Sequence, residues 1–121
     1  MAKLNQQPDV TIIELGPEYH SLDQATVEAL RDKLLDFVDQ ADPPNIALDL
    51  SHTRFIGSAF LETLFRCWNR IKHRDGRLAL CGLHPFCSEV LRVTRLETLW
   101  EIYPTIEDAK AAMAEKEPGQ E

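Results

Sequence analysis

The chain has 121 residues, a net charge of -7 and 44% hydrophobic content. That is the size of one domain and the composition of a folded protein with one core, not of a disordered chain. The acidic balance disfavours nucleic acid as a partner, no apolar run approaches the ~20 residues that span a bilayer, and three cysteines without a CxxC pair argue against a disulfide framework. The opening MAKLNQQPDV has no apolar stretch and does not read as a signal peptide, so a cytoplasmic protein without membrane attachment is expected.

Residues 1–9 read as a flexible leader. Val10–Leu15 (VTIIEL) is rich in β-branched residues and stops at Gly16-Pro17, which predicts a strand, with an antiparallel edge position open to it. Glu18–Leu22 reads as a short extended piece. Ser21 with Gln24 resembles a capping box, and Asp23 is a competing cap. Val27, Leu30, Leu34 and Phe37 recur at helical spacing, so a helix is predicted from about Asp23 to Gln40, halted by Asp42-Pro43-Pro44. Ile46–Leu50 (IALDL) is a short apolar run that suits a buried strand.

A polar turn follows, and Gly57-Ser58 opens a second helix with the stripe Leu61, Leu64, Phe65, Trp68 and Ile71. It ends before Asp75-Gly76, where His73 and Arg74 suit the negative end of the helix dipole. Arg77–Leu83 reads as a strand, and Pro85 as the first turn of a helix bearing Val90, Leu91 and Leu96. Leu99–Tyr103 reads as a short edge strand. Thr105 with Asp108 caps a last helix bearing Ile106, Ala109 and Met113. Residues 115–121 read as a flexible tail. Strands alternating with helices predict an α/β domain over residues 10–114. Its sheet is expected to be mixed but mostly parallel, with about four to five strands and about four helices.

Charge is unevenly placed. Residues 54–95 carry eight bases against Glu62, Asp75 and Glu89, whereas residues 1–53 carry three bases against ten acids. The basic block begins beside the Gly57-Ser58 turn. It reads either as a solvated helix face or as a docking surface for an acidic or phosphorylated partner.

The usual catalytic signatures are missing. The chain has no GxGxxG, no GxxxxGK[ST] and no GxSxG, so no nucleotide cradle and no enzymatic activity are expected. Ser58, His52 and Asp49 could be imagined as a hydrolase triad, but a surface-loop histidine is the simpler reading. Cys81-x-x-His84-x-x-Cys87 is the one metal-like spacing. It lacks a fourth ligand, and Cys81 sits in an apolar strand, so neither a metal nor a cofactor is expected. Trp68 and Trp100 read as core aromatics.

The ordered set of segments resembles the STAS domain family, named for sulfate transporters and anti-sigma-factor antagonists. The likeness runs through ATVEALRDKLLDFV, ALDLSHTRFIGSAFLETL, LALCGL and VLRVTRLETLWEIYPTIEDAKAAM. In stand-alone members the turn after the central strand reads Asp-Ser or Asp-Thr, then a small residue, then Gly, and the hydroxyl is phosphorylated by a partner kinase. Ser58 matches the hydroxyl position, while Gly57 replaces the acid and Phe60 the glycine. The resemblance implies a non-enzymatic, phosphorylation-controlled partner-switching protein with Ser58 as phosphoacceptor, and Thr53 and Ser51 are lesser hydroxyl candidates in the same turn. Arg54, Gly57, Ser58 and Glu62 are the expected partner-facing residues. The implied partners are an anti-sigma factor that is a serine kinase of the histidine-kinase-like ATPase type, and a serine phosphatase. The domain itself is expected as a monomer or weak dimer. Two other readings stay open: Ser58 is simply the cap of the second helix, or Gly57-Ser58 presents N–H groups to an anion or small ligand in an unphosphorylated module.

Overall fold

The computed structural model describes residues 2–115. It contains seven strands: β1 (Ala2–Gln6), β2 (Thr11–Leu15), β3 (Ser21–Leu22), β4 (Asn45–Asp49), β5 (Phe55–Ile56), β6 (Arg77–Cys81) and β7 (Glu101–Tyr103). The four α-helices are α1 (Gln24–Gln40), α2 (Ser58–Lys72), α3 (Pro85–Val93) and α4 (Ile106–Ala114). The main sheet runs β1-β2-β4-β6-β7. Only the β1–β2 pair is antiparallel; β2–β4, β4–β6 and β6–β7 are parallel.

Three central strands bury both faces, which is why they read as nearly continuous apolar runs. Ile13, Leu15, Ile46, Leu48, Leu78 and Leu80 enter the core beneath α1, α2 and α3. Ile12, Ala47, Ala79 and Cys81 alternate with them and pack with Ala109 and Met113 of α4 on the other face. At the β7 edge Phe65, Trp68 and Trp100 form an edge-to-face cluster with centroids 5.3–6.4 Å apart. Trp100 is buried, whereas Trp68 is only half-buried, with the Lys72 ammonium 4.2 Å over its ring.

Several local expectations give way. Ala2–Gln6 is a strand at the sheet edge, where the sequence reading had a flexible leader. The edge position considered for Val10–Leu15 belongs to β1 instead, and β2 lies one strand further in. Residues 17–19 form a 3-10 turn before β3. Asp23 is the cap of α1, its Oδ1 accepting the Thr26 N–H at 3.0 Å, so the Ser21–Gln24 box does not form. The expected tail at 115–121 lies outside the described residues beyond Glu115.

The end of α2 is held by tertiary contacts. Gly76 follows Asp75, which is left-handed at φ 57°. A Cβ on Gly76 would lie 2.0 Å from the Pro44 carbonyl oxygen, so only glycine allows this approach of the chain. The Arg74 guanidinium donates to the carbonyls of Val38, Asp39 and Ala41. It therefore satisfies the open carbonyls at the end of α1 rather than those of its own helix. Arg70 and Asp39 add an exposed ion pair at 2.6 Å between the same two helices.

Candidate functional site

The turn carrying Ser58 is fastened to the chain before α1. The β5 strand pairs parallel with β3, matching Phe55 to Ser21 and Ile56 to Leu22. The N–H groups of Arg54 and Phe55 both donate to the His20 carbonyl, at 2.7 and 3.2 Å, and the Gly57 N–H donates to Leu22 at 3.2 Å. These bonds bring the first turns of α1 and α2 side by side. A cleft of about 330 Å³ between them is lined by Gln24, Glu28, Arg31, Ser58, Ala59 and Glu62.

Ser58 is exposed and occupies the first helical position of α2. The cap is Gly57, at φ -110° and ψ -178°, so Ser58 is not the helix cap. Among the described residues no hydrogen bond engages the Ser58 hydroxyl. The first N–H groups of a helix have no intrahelical acceptor, and they sit at its positive end. The hydroxyl therefore lies free in water where added negative charge is tolerated.

The other expected residues separate. Arg54 is exposed but does not line the cleft. Glu62 does line it, and pairs with Arg66 at 3.4 Å on the exposed helix surface. Thr53 is fully buried, and its hydroxyl donates to the Tyr19 carbonyl at 2.8 Å. That bond anchors the turn and removes Thr53 as a phosphoacceptor in the folded protein. Ser51 lines a different groove with Asp49, Gly82 and Glu107, and its N–H donates to Asp49 Oδ1 at 3.0 Å. The Ser58 cleft contains no histidine, so Ser58, His52 and Asp49 are not assembled into a triad.

Nor do the thiol positions converge. Cys81 packs on the α4 side of the sheet and Cys87 in the core on the other side. Burial pushes their thiols up to about 12 and about 11, so both are protonated near neutral pH. His84 is the cap of α3, its Nδ1 accepting the Phe86 N–H at 3.3 Å.

Arg31 is the cationic side chain of the cleft, and it was not singled out from the sequence. Its Nε donates to the buried Thr63 hydroxyl at 3.4 Å, which holds the side chain against α2. Gln24, Glu28 and Arg31 stand at i, i+4 and i+7 along α1, a polar stripe that could have marked a shared face. Which helix that stripe meets depends on tertiary packing alone.

Gly57 imposes no steric requirement. A Cβ there would meet Phe55 Cε2 at 3.5 Å, an ordinary contact. Gly57→Asp is therefore expected to fold normally and to gain about 0.3 kcal/mol as a better cap, read from urea denaturation. A loss of stability would show that the cap position is tighter than its geometry indicates.

The sequence matches the STAS domain family over residues 1–109. It is 35% identical to an anti-sigma-factor antagonist (STAS) domain protein from Planctomyces limnophilus, covering 94% of this chain and 98% of that one with a TM-score of 0.89. An anti-sigma factor antagonist from Mycobacterium paratuberculosis shares the fold at 23% identity, with a TM-score of 0.80 over 95% of this chain and 94% of that one. So does the Bacillus cell fate determinant SpoIIAA in its phosphorylated form, at 20% identity and a TM-score of 0.67, over 93% of this chain and 98% of that one. Among the described residues no helix is long and apolar enough to cross a membrane. With its order of elements, its central strand–turn–helix and a match over most of its length, the chain belongs to the STAS domain family.

Proposed function

We propose that this domain is a non-enzymatic regulatory module, an anti-sigma-factor antagonist or related partner-switching component controlled by phosphorylation of Ser58. The observation that carries the reading is the exposed Ser58 hydroxyl at the first position of α2, unengaged among the described residues while Gly57 serves as cap. The Planctomyces relative, named an anti-sigma-factor antagonist, supports the class of partner. The proposed partner is an anti-sigma factor that is also a serine kinase of the histidine-kinase-like ATPase type, opposed by a serine phosphatase.

The physical logic is a separation of two energies. A phosphate adds about -1.5 to -2 charge. The helix dipole favours that charge by roughly 0.3–1 kcal/mol, and Arg31 lies in the same cleft, so the modified fold survives. An interface closed over a neutral hydroxyl has no partner for the phosphate, and burying an unpaired charge costs several kcal/mol. Glu28 and Glu62 line the same cleft and offset part of this attraction, which a covalently held phosphate withstands and a free anion does not.

Incubation with the cognate kinase and ATP, followed by mass spectrometry, tests the proposal. One phosphate on Ser58, absent from Ser58→Ala, is the expected result. A kinase that binds the domain yet modifies nothing between Ser51 and Ser58 would defeat it.

A further inference from the structure

One flank of α3 carries an apolar stripe beside the polar outer face of Ser88, Glu89 and Arg92. Phe86, Val90 and Val93 stand at i, i+4 and i+7, one stripe along the helix. Phe86 is 46% exposed and Val93 62%, Val90 between them is half-buried against the core, and Cys87 and Leu91 are buried. Phe55, 41% exposed, extends the stripe by stacking on Phe86 with centroids 5.7 Å apart and ring planes at 18°. The Phe55 ring also lies against Gly57, so the stripe reaches the residue before Ser58.

The charges around this stripe have a definite pattern. Arg92 pairs with Glu89 on the same helix and also feels Glu97, so these three groups together leave one negative charge, set against Arg54 and Arg95. Arg54, next to Phe55, and Arg95, two residues past Val93, are exposed and have no ion-pair partner among the described residues. Two free guanidinium groups thus bracket an apolar strip whose helical part, Phe86 to Val93, spans roughly 11 Å. Arg95 moreover stands at φ 61°, a conformation that glycine would adopt without strain.

We propose that α3 and Phe55 form the docking surface for an acidic amphipathic segment of a protein partner, its apolar side chains on Phe55, Phe86 and Val93 and its carboxylates on Arg54 and Arg95. The charge pattern selects this occupant. A second copy packed with α3 antiparallel to α3 would bring each Arg95 to the Arg54 end of its mate, like charge on like. Among the described residues this surface offers two free cations, too few to hold a chain of net charge -7 on an anionic membrane. Identifying the occupant with the partner released by Ser58 phosphorylation rests on the reading above. The new phosphate would then add negative charge beside a surface that attracts carboxylates.

The test is an amide-resolved NMR titration of the unmodified full chain with two helical peptides of roughly 15 residues. One carries leucines at i, i+4 and i+7 flanked by glutamates, and the other has lysines in place of the glutamates. The glutamate peptide should shift amides of α3 and β5 and bind at least about tenfold tighter than the lysine peptide. Phe86→Ser should abolish the shifts. Arg95→Gly should weaken binding roughly tenfold while raising the melting temperature, two effects that a purely structural role would not produce together. Equal binding of both peptides, shifts confined to the α2 end, no binding, or flotation with phosphatidylserine–phosphatidylcholine vesicles would overturn the proposal. No kinase is involved, so a failed titration leaves Ser58 phosphorylation standing, and an unphosphorylated Ser58 leaves the titration readable.

Discussion

Ser58→Asp should lower affinity for the proposed anti-sigma partner by about a hundredfold while leaving the melting temperature nearly unchanged. The two expectations have separate origins. Ser58 is exposed at the first position of α2, so the new carboxylate stays hydrated in the free protein and interacts favourably with the helix dipole. An exposed substitution of this kind moves stability by about 0.5 kcal/mol or less. In the proposed complex the same carboxylate would leave water with Glu28 and Glu62 beside it and Arg31 as the one cation of the cleft. Truncated or mismatched buried charges at interfaces cost about 2–5 kcal/mol, and about 2.7 kcal/mol corresponds to a hundredfold. Calorimetric titration of the partner together with a thermal melt checks both halves. Unchanged affinity would place the interface away from Ser58. A collapsed melt would mean that residue 58 has a structural duty.

Phe60→Ala should be among the most damaging single substitutions in the domain, at about 3–5 kcal/mol. Phe60 stands in the first turn of α2, two residues from Ser58, yet has no exposed surface and packs in the core that also holds Leu22, Ile56 and Leu64. Two helical residues rotate a side chain roughly 200°, which is how an exposed hydroxyl and a buried ring share one turn. A domain of this size has about 5–15 kcal/mol to lose, so the variant should be marginal at 37 °C. Urea unfolding with an unchanged slope would give the value. A loss below about 1 kcal/mol would mean that the first turn of α2 repacks without the ring.

The elements that reveal themselves in the sequence are those that bury a continuous apolar surface. The strands Asn45–Asp49 and Arg77–Cys81 are covered on both faces, so nearly every residue carries the signal. What the reading of residues misses is decided between segments. Ala2–Gln6 buries Ala2 fully but exposes Lys3, Asn5 and Gln6, a polar edge strand that composition cannot distinguish from a leader. The two-residue strands Ser21–Leu22 and Phe55–Ile56 exist only because each finds the other. On α2 the expected stripe included Leu61, Phe65 and Trp68, which are half-buried, and omitted Phe60 and Cys67, which are buried. The helix packs on α1, the sheet and the Trp100 cluster at once, so its apolar arc is wider than one stripe. Thr53 reads as an available hydroxyl until the fold places the Tyr19 carbonyl beside it. The position of Ser58 was legible because a glycine followed by an amphipathic run marks a helix start. Arg31, supplied by another helix, was not.

The strand Ala2–Gln6 also bears on how the molecule is handled. It pairs with Thr11–Leu15 along its whole length and shields that strand's outer rank of peptide groups. A chain begun at Val10 would leave an uncovered rim whose flanking residues Thr11, Ile12 and Ile13 are apolar or fully enclosed in the intact fold. Such a rim is a template for a foreign strand, so shortening the amino end invites self-association, and an affinity tag belongs upstream of Ala2 on a flexible spacer.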